Sequence, residues 1–401
     1  MTELPDRLEP SAPPTRSGSS PLSVEGVRGL FDSRSSFTVG LREELLLLEP
    51  ATLELASETE LTRGIPGVDQ WFSGAARQGY LELRTPVCGN AVAAGLHLAA
   101  ARPELYDDLE GNVALAAAGT HPFSTAWGQR VATEQRTRRA GQETPLAAPA
   151  HLPCGFRVHV AVPGADRALA VFNAARSYLP ELAALAANSP FLDGRDTGLA
   201  SMRSRLGLAC PRAGIPPSFA TWDELVAFVE WGRRAALFPD GRHLWWDLCP
   251  NLTQGTLELR VADAQTRLED AAGIAAVSQA LLVWLAERYD EGEQLQVHRQ
   301  ARIAENAWRA ASEGPHGRLL DLDTGDRVGT RQRISDLVDA ITPCAERLGT
   351  TWALLTARAL LADNGADRQR YVAAREGLRG LVAWLAEEPV GSPREYLERR
   401  G

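Results

Sequence analysis

Glu44, Glu82, His159 and Glu258 supply oxygen and nitrogen donors of the kind that hold magnesium or manganese, and each lies in a segment of alternating polarity. Arg260 follows Glu258 by two residues, so on an extended strand the two side chains share a face. A guanidinium there can clamp a phosphate or a carboxylate. Arg42 and Arg157 stand in the same two-residue relation to Glu44 and His159. Carboxylates interleaved with arginines on one surface suit phosphoryl transfer from a metal–nucleotide complex that has no phosphate-binding loop.

Four segments must position these groups: FTVGLREELLLLEP (37–50), YLELRTPVC (80–88), CGFRVHVAVPG (154–164) and HLWWDLCPNLTQGTLELRVAD (243–263). In the first, Phe37, Val39 and Leu41 oppose Thr38, Gly40, Arg42 and Glu44. In the second, Leu81 and Leu83 oppose Glu82 and Arg84. Phe156, Val158, Val160 and Val162 oppose Arg157 and His159, and Leu257, Leu259 and Val261 oppose Thr256, Glu258 and Arg260. This period of two predicts a sheet with one apolar face packed on helices and one polar face. A merely solvated face gives the same alternation. The donor-type residues, and the small residues Gly40, Gly119, Gly155 and Gly255 beside the strands, weigh toward a bound ligand.

The chain has 401 residues, 44% hydrophobic and 23% charged, with net charge −9. The acidic balance argues against nucleic acid or an anionic membrane as partner. There is no lysine: all 42 basic residues are arginine. That removes the Walker-A loop and the Schiff-base and pyridoxal-phosphate classes, which need an amine. The scattered cysteines read as free thiols, and no apolar run is long and uncharged enough to span a bilayer, so a cytoplasmic location is expected. Residues 1–35, rich in Pro, Ser and charge, are expected to be a disordered tail, followed by one catalytic domain over 36–398 whose portion from about 330 is helical.

The segments FTVGLREELLLLEP, LELRTPVC, AAAGTHPFS, FRVHVAVP, ALAANSPFLDGRDTGLASMRS, LWWDLCPNLTQGTLELRVADAQT and ENAWRAASEG, in this order and spacing, resemble the type 2 glutamate–cysteine ligase family of ATP-dependent carboxylate–amine ligases. The resemblance implies an α+β fold like that of glutamine synthetase and the guanidino kinases, with a curved antiparallel sheet whose concave polar face holds ATP and Mg2+ or Mn2+. It implies that ATP phosphorylates a carboxylate, glutamate's in the family, and that an amine, cysteine's in the family, displaces phosphate to form an amide. Its small-molecule substrates are a carboxylate and an amine, and a homodimer is the family's common assembly. Carried over by position, Glu44, Glu82, His159 and Glu258 are metal ligands or their neighbours, and Arg260 and His121 belong to the catalytic pocket. Asp196, Ser201 and Arg203 shape the substrate or nucleotide end.

Several positions depart from the family pattern. Arg42 replaces an acid, Arg157 a histidine, and Cys249 and Ser312 arginines, while Asn251 stands where histidine is common. Arg42 and Arg157, on the ligand face, are expected to hold phosphate in place of a lost metal. Cys249 and Asn251 lie on the substrate or nucleotide side, and Cys249 and Ser312 imply loss of the carboxylate clamp, so a substrate other than glutamate is expected. Two classes remain open: an active ligase, with the family's substrates or altered ones, and a catalytically silent relative that binds nucleotide or a partner.

Overall fold

The alternating segments pair as expected in the computed structural model, which describes residues 21–56, 80–109, 113–124 and 154–387. The strands are β1 (Val39–Leu48), β2 (Tyr80–Arg84), β3 (Ala114–Ala116), β4 (Gly155–Val160), β5 (Leu248–Asn251) and β6 (Thr256–Asp263). They form one antiparallel sheet in the order β2-β1-β4-β6-β5, with β3 also pairing with β1. The helices are α1 (Val24–Asp32), α2 (Ala91–Asp108), α3 (Ala165–Ala175), α4 (Leu179–Leu185), α5 (Met202–Gly207), α6 (Trp222–Arg234), α7 (Leu268–Asp290), α8 (Gln300–Glu313), α9 (Thr330–Leu348), α10 (Thr351–Ala359) and α11 (Gly365–Glu387).

Leu41, Leu83, Val158, Val160, Leu257 and Leu259 are buried on one face of the sheet, in a core shared with α2, α3 and α7. Among the described residues α7 alone is long and apolar enough to cross a membrane, yet it is mostly buried inside the protein. The other face is divided. Leu46, Leu48 and Tyr80 pack with Leu381, Val382 and Leu385 of α11, which is kinked at Gly377, and only the opposite end of the face carries charge.

One expectation changes. The stretch expected as a tail contains α1, capped by Ser23 and anchored by the buried Val27 and Phe31. It packs on the β5–β6 turn, where Gly255 adopts a positive φ and a Cβ would meet the Leu30 carbonyl oxygen. Residues 1–20 and 388–401 lie outside the described residues.

Buried polar groups tie the layers together. Glu43 points into the apolar face, fully buried, and is met by Arg102 of α2. The Arg102 Nε donates to Glu43 (2.8 Å), its Nη2 to Glu43 and to the Gln265 carbonyl (2.8 Å), and its Nη1 to the Thr266 carbonyl (3.1 Å). At the end of β6 the Asp263 carboxylate accepts from Asn188 N (2.8 Å), Ser189 Oγ (2.7 Å) and Ser201 Oγ (2.9 Å), pinning the loop before α5. His121 does the same for a loop beside β3. Phe123 N (3.2 Å) and Ser124 N (2.8 Å) donate to its Nδ1, so Nε2 carries the proton and donates to the Leu53 carbonyl (2.9 Å).

Two predictions test these ties. Glu43→Leu strands a buried guanidinium and should cost about 3–5 kcal/mol in urea unfolding, while the double variant Glu43→Leu/Arg102→Met should be less destabilised than the single one. Burial pushes the His121 imidazole down to about 4, from an ordinary value near 6.5. Between those values the unfolded chain takes up a proton that the folded chain refuses, so stability falls as pH is lowered through this window. In His121→Gln the fall should be shallower by up to ~1.4 kcal/mol per pH unit, read from denaturation midpoints at several pH values.

Candidate active site

Strand register sets the charged end of the sheet in rows. Arg84, Arg42 and Arg157 lie side by side across β2, β1 and β4. Two residues along on one side, Glu82 pairs with Glu44; two along on the other, Gly40, His159, Glu258 and Cys249 are neighbours. The β4–β6 register jumps between Leu259 and Ala262, so Arg260 and Val261 together oppose the single Arg157. Arg260 is thus a fourth arginine in the row, and the bulge moves the rest of β6 on by one residue. Its kinked backbone is held by Arg203 of α5, whose Nη2 donates to the Arg260 carbonyl (2.9 Å) and whose Nη1 donates to that of Val261 (3.4 Å). Arg203 fits only because residue 155 is glycine: a Cβ there would overlap its guanidinium.

Ion pairs knit the rows. Arg157 Nη2 donates to Glu44 Oε1 (2.6 Å), and its Nη1 lies 3.6 Å from Glu82 Oε2 and 4.0 Å from Glu258 Oε1. Gly155 N also donates to Glu44 Oε2 (2.7 Å). Arg84 Nε donates to Glu82 Oε1 (2.7 Å), and Arg260 Nη2 donates to Glu258 Oε2 (2.7 Å). Arg42 is the loosest member, with Glu82 Oε1 4.0 Å away. Burial raises a carboxyl pKa, but around Glu258 the charge and hydrogen bond of Arg260, with the charge of Arg157, win and hold it well below the usual range. Arg157, Arg84 and Arg42 likewise lower that of Glu82. Burial pushes His159 down to about 4, so it is neutral near pH 7. Four guanidiniums then face three carboxylates, one positive charge in excess.

Among the buried atoms without a hydrogen-bond partner, a ring nitrogen and a carboxylate oxygen face each other here: His159 Nε2 and Glu258 Oε1, 3.5 Å apart. Such a pair fits one divalent cation, to which nucleotide phosphates and water add the remaining ligands. A second cation at Glu44 and Glu82 does not fit, because Arg157 already stands between them. Among the described residues no three His, Cys, Asp or Glu side chains converge as a metal-ligand set.

Of the residues picked out from the sequence, Arg42, Glu44, Glu82, Arg157, His159, Glu258 and Arg260 come together. Cys249 is buried across the strand pair from Glu258. Others are spent on structure. His121 has both nitrogens bound to backbone and braces its loop. Ser201 donates to Asp263 and caps α5. Asn251 Oδ1 accepts from Thr253 N (3.1 Å) and Gln254 N (3.0 Å), closing the β5–β6 turn. Asp196 pairs with Arg370 through two 2.9 Å contacts, joining a surface hairpin to α11. Arg203 supports the site from behind. One acid was not picked out as a site residue from the sequence: Asp247, whose carbonyl oxygen accepts from Arg260 N (2.7 Å). Burial pushes its carboxyl up to about 6 against the pull of Arg203, Arg205 and Arg260. Its signal was present, since it shares strand parity with Cys249.

Comparison with known proteins agrees with this geometry. The profile of glutamate–cysteine ligase family 2 matches residues 38–390. A Rubrobacter xylanophilus protein named by inference as glutamate–cysteine ligase 2-3 is 36% identical over 363 residues, 89% of this chain and 98% of that one. A Sorangium cellulosum protein named by inference as glutamate–cysteine ligase 2 is 34% identical over 370 residues, covering 90% and 98%. Among solved structures, the Francisella tularensis glutamate–cysteine ligase in complex with AMP shares the fold, with a TM-score of 0.67 at 13% identity over 90% of each chain. A bifunctional glutathione synthetase from Pasteurella multocida gives 0.59 at 14% identity, covering 94% of this chain and 53% of that one. The family profile and these relatives show that the chain belongs to glutamate–cysteine ligase family 2.

Proposed function

We propose that the protein is an ATP-dependent carboxylate–amine ligase that joins glutamate, or a close analogue, to the amine of cysteine or a similar amino acid. The observation that carries this reading is the arginine row flanked by carboxylates, with its excess of positive charge on an otherwise acidic protein. Such a face attracts nucleotide phosphates, and fixed guanidiniums stabilise the charge that develops as phosphate is transferred.

Two steps are required. A carboxylate oxygen attacks the γ-phosphorus of ATP and ADP leaves, giving an acyl phosphate. The amine nitrogen then attacks the acyl carbon, loses a proton, and phosphate departs. Phosphorylation turns a poor leaving group into a good one. Arg42, the least committed cation, holds phosphate oxygens, and Arg260, pinned by Glu258 and the Leu244 carbonyl, presents its charge in a fixed direction. Neutral His159 adds no charge of its own. A divalent cation held by His159 and Glu258 would supply further charge neutralisation at the phosphates. One observation favours a binding-only relative instead: Arg157 engages the carboxylates on both sides of its row.

ADP release with magnesium and ATP, over a panel of carboxylates and amines that includes glutamate and cysteine, separates the readings. Turnover should require both co-substrates and fall by at least about 100-fold in Glu258→Gln. Nucleotide binding without turnover establishes the binding-only reading. Arg42→Gln should raise KM for ATP by about 10–100-fold with a smaller effect on kcat, the scale of one lost charge-assisted hydrogen bond.

A further inference from the structure

Arg157 occupies an unusual position. It rises from β4, and its guanidinium lies among carboxylates from three other strands: Glu44 on β1, Glu82 on β2 and Glu258 on β6. Its side chain is 15% exposed, while those of the glutamates are 9%, 10% and 2% exposed. Three carboxylates converging in so dry a place need a cation, because buried charges are retained only when paired. In this chain the cation is covalently attached.

We propose that the Arg157 guanidinium is a built-in substitute for a divalent ion between Glu44, Glu82 and Glu258, leaving a single exchangeable cation position on the face, at His159 and Glu258. A carboxylate-bound ion sits about 2.0–2.6 Å from its oxygens. Arg157 Nη2 stands 2.6 Å from Glu44 Oε1, so an ion on that oxygen would overlap the guanidinium and meet its like charge. By contrast, the unpartnered His159 Nε2 and Glu258 Oε1 face each other at 3.5 Å, and Arg157 comes no nearer to that oxygen than 4.0 Å. Arg42 gains by this arrangement. With Arg157 neutralising Glu44 and sharing Glu82, it keeps only a 4.0 Å carboxylate contact and can offer its charge to an incoming anion.

The ligase reading supplies only the identity of that anion, nucleotide phosphate; the cation count stands apart from it. The difference matters chemically. A guanidinium cannot leave with product, nor change its coordination number, and it binds through directed N–H groups. The charge between Glu44 and Glu82 is therefore fixed by the fold, and free-metal concentration acts only through the position at His159 and Glu258.

The test counts bound Mn2+ by electron paramagnetic resonance on the full chain, without nucleotide and then with a non-hydrolysable ATP analogue. The wild type should bind no more than one ion per chain in either state. Glu82→Gln should leave that number unchanged, and Arg157→His should raise it by one. Two or more ions in the wild type, loss of an ion in Glu82→Gln, or an unchanged count in folded Arg157→His overturns the proposal. If Arg157→His does not fold, judged by circular dichroism, the wild type and Glu82→Gln decide it. Absence of analogue binding by the wild type counts against the ligase reading alone, because the nucleotide-free ion count still reports on Arg157.

Discussion

Charges taken out of water must be answered by other charges, and on this sheet the answer comes from neighbouring strands. Each strand pairing that builds the charged end also juxtaposes an arginine with a glutamate, so sheet register and electrostatic order are one constraint. A one-residue slip of β4 would turn Arg157 and His159 into the leucine and valine layer and leave Glu44 facing Glu82 without a mediating cation. The bulge in β6 belongs to the same constraint. Arg260 keeps the step of two from Glu258 that sets it in the row, and the extra residue, Val261, is taken up before Ala262 pairs with Phe156.

The opposite face holds a second, smaller version of the same rule. Glu43 and Arg102 are sealed in the apolar layer, and the guanidinium spends its remaining donors on the chain just after β6. Asp263 ends that strand by gathering a backbone N–H and two hydroxyls. The strand that carries Glu258 and Arg260 is thus clamped beyond its site residues, which keeps those two side chains on rigid support rather than on a loop.

Much of this was legible. Alternation over 80–84, 156–162 and 256–261 identified the faces, and residues two apart were placed together without any structure. The run Glu-Leu-Leu-Leu-Leu after Glu43 was a readable sign that alternation fails there, because β1 is covered on both faces by the core and by α11. Glu43, with inward parity, could have been noticed, but its partner lies 59 residues away on a helix. His121, Asn251 and Asp196 have the chemistry of ligands, yet the structure uses them to hold backbone and a surface arginine. Residue type cannot separate those uses, because the hydrogen bonds that decide depend on chain approaches absent from any local pattern.

All four cations of the row are guanidiniums, and a guanidinium at neutral pH has no lone pair to offer an electrophile. An acyl phosphate is an acylating agent, able to react with any amine that its enzyme holds near it. A lysine in this row would position phosphate equally well and would then compete with the substrate amine for the activated carbonyl. In the proposed reaction, a positive surface built of guanidiniums alone holds the acyl phosphate without offering it an amine to acylate.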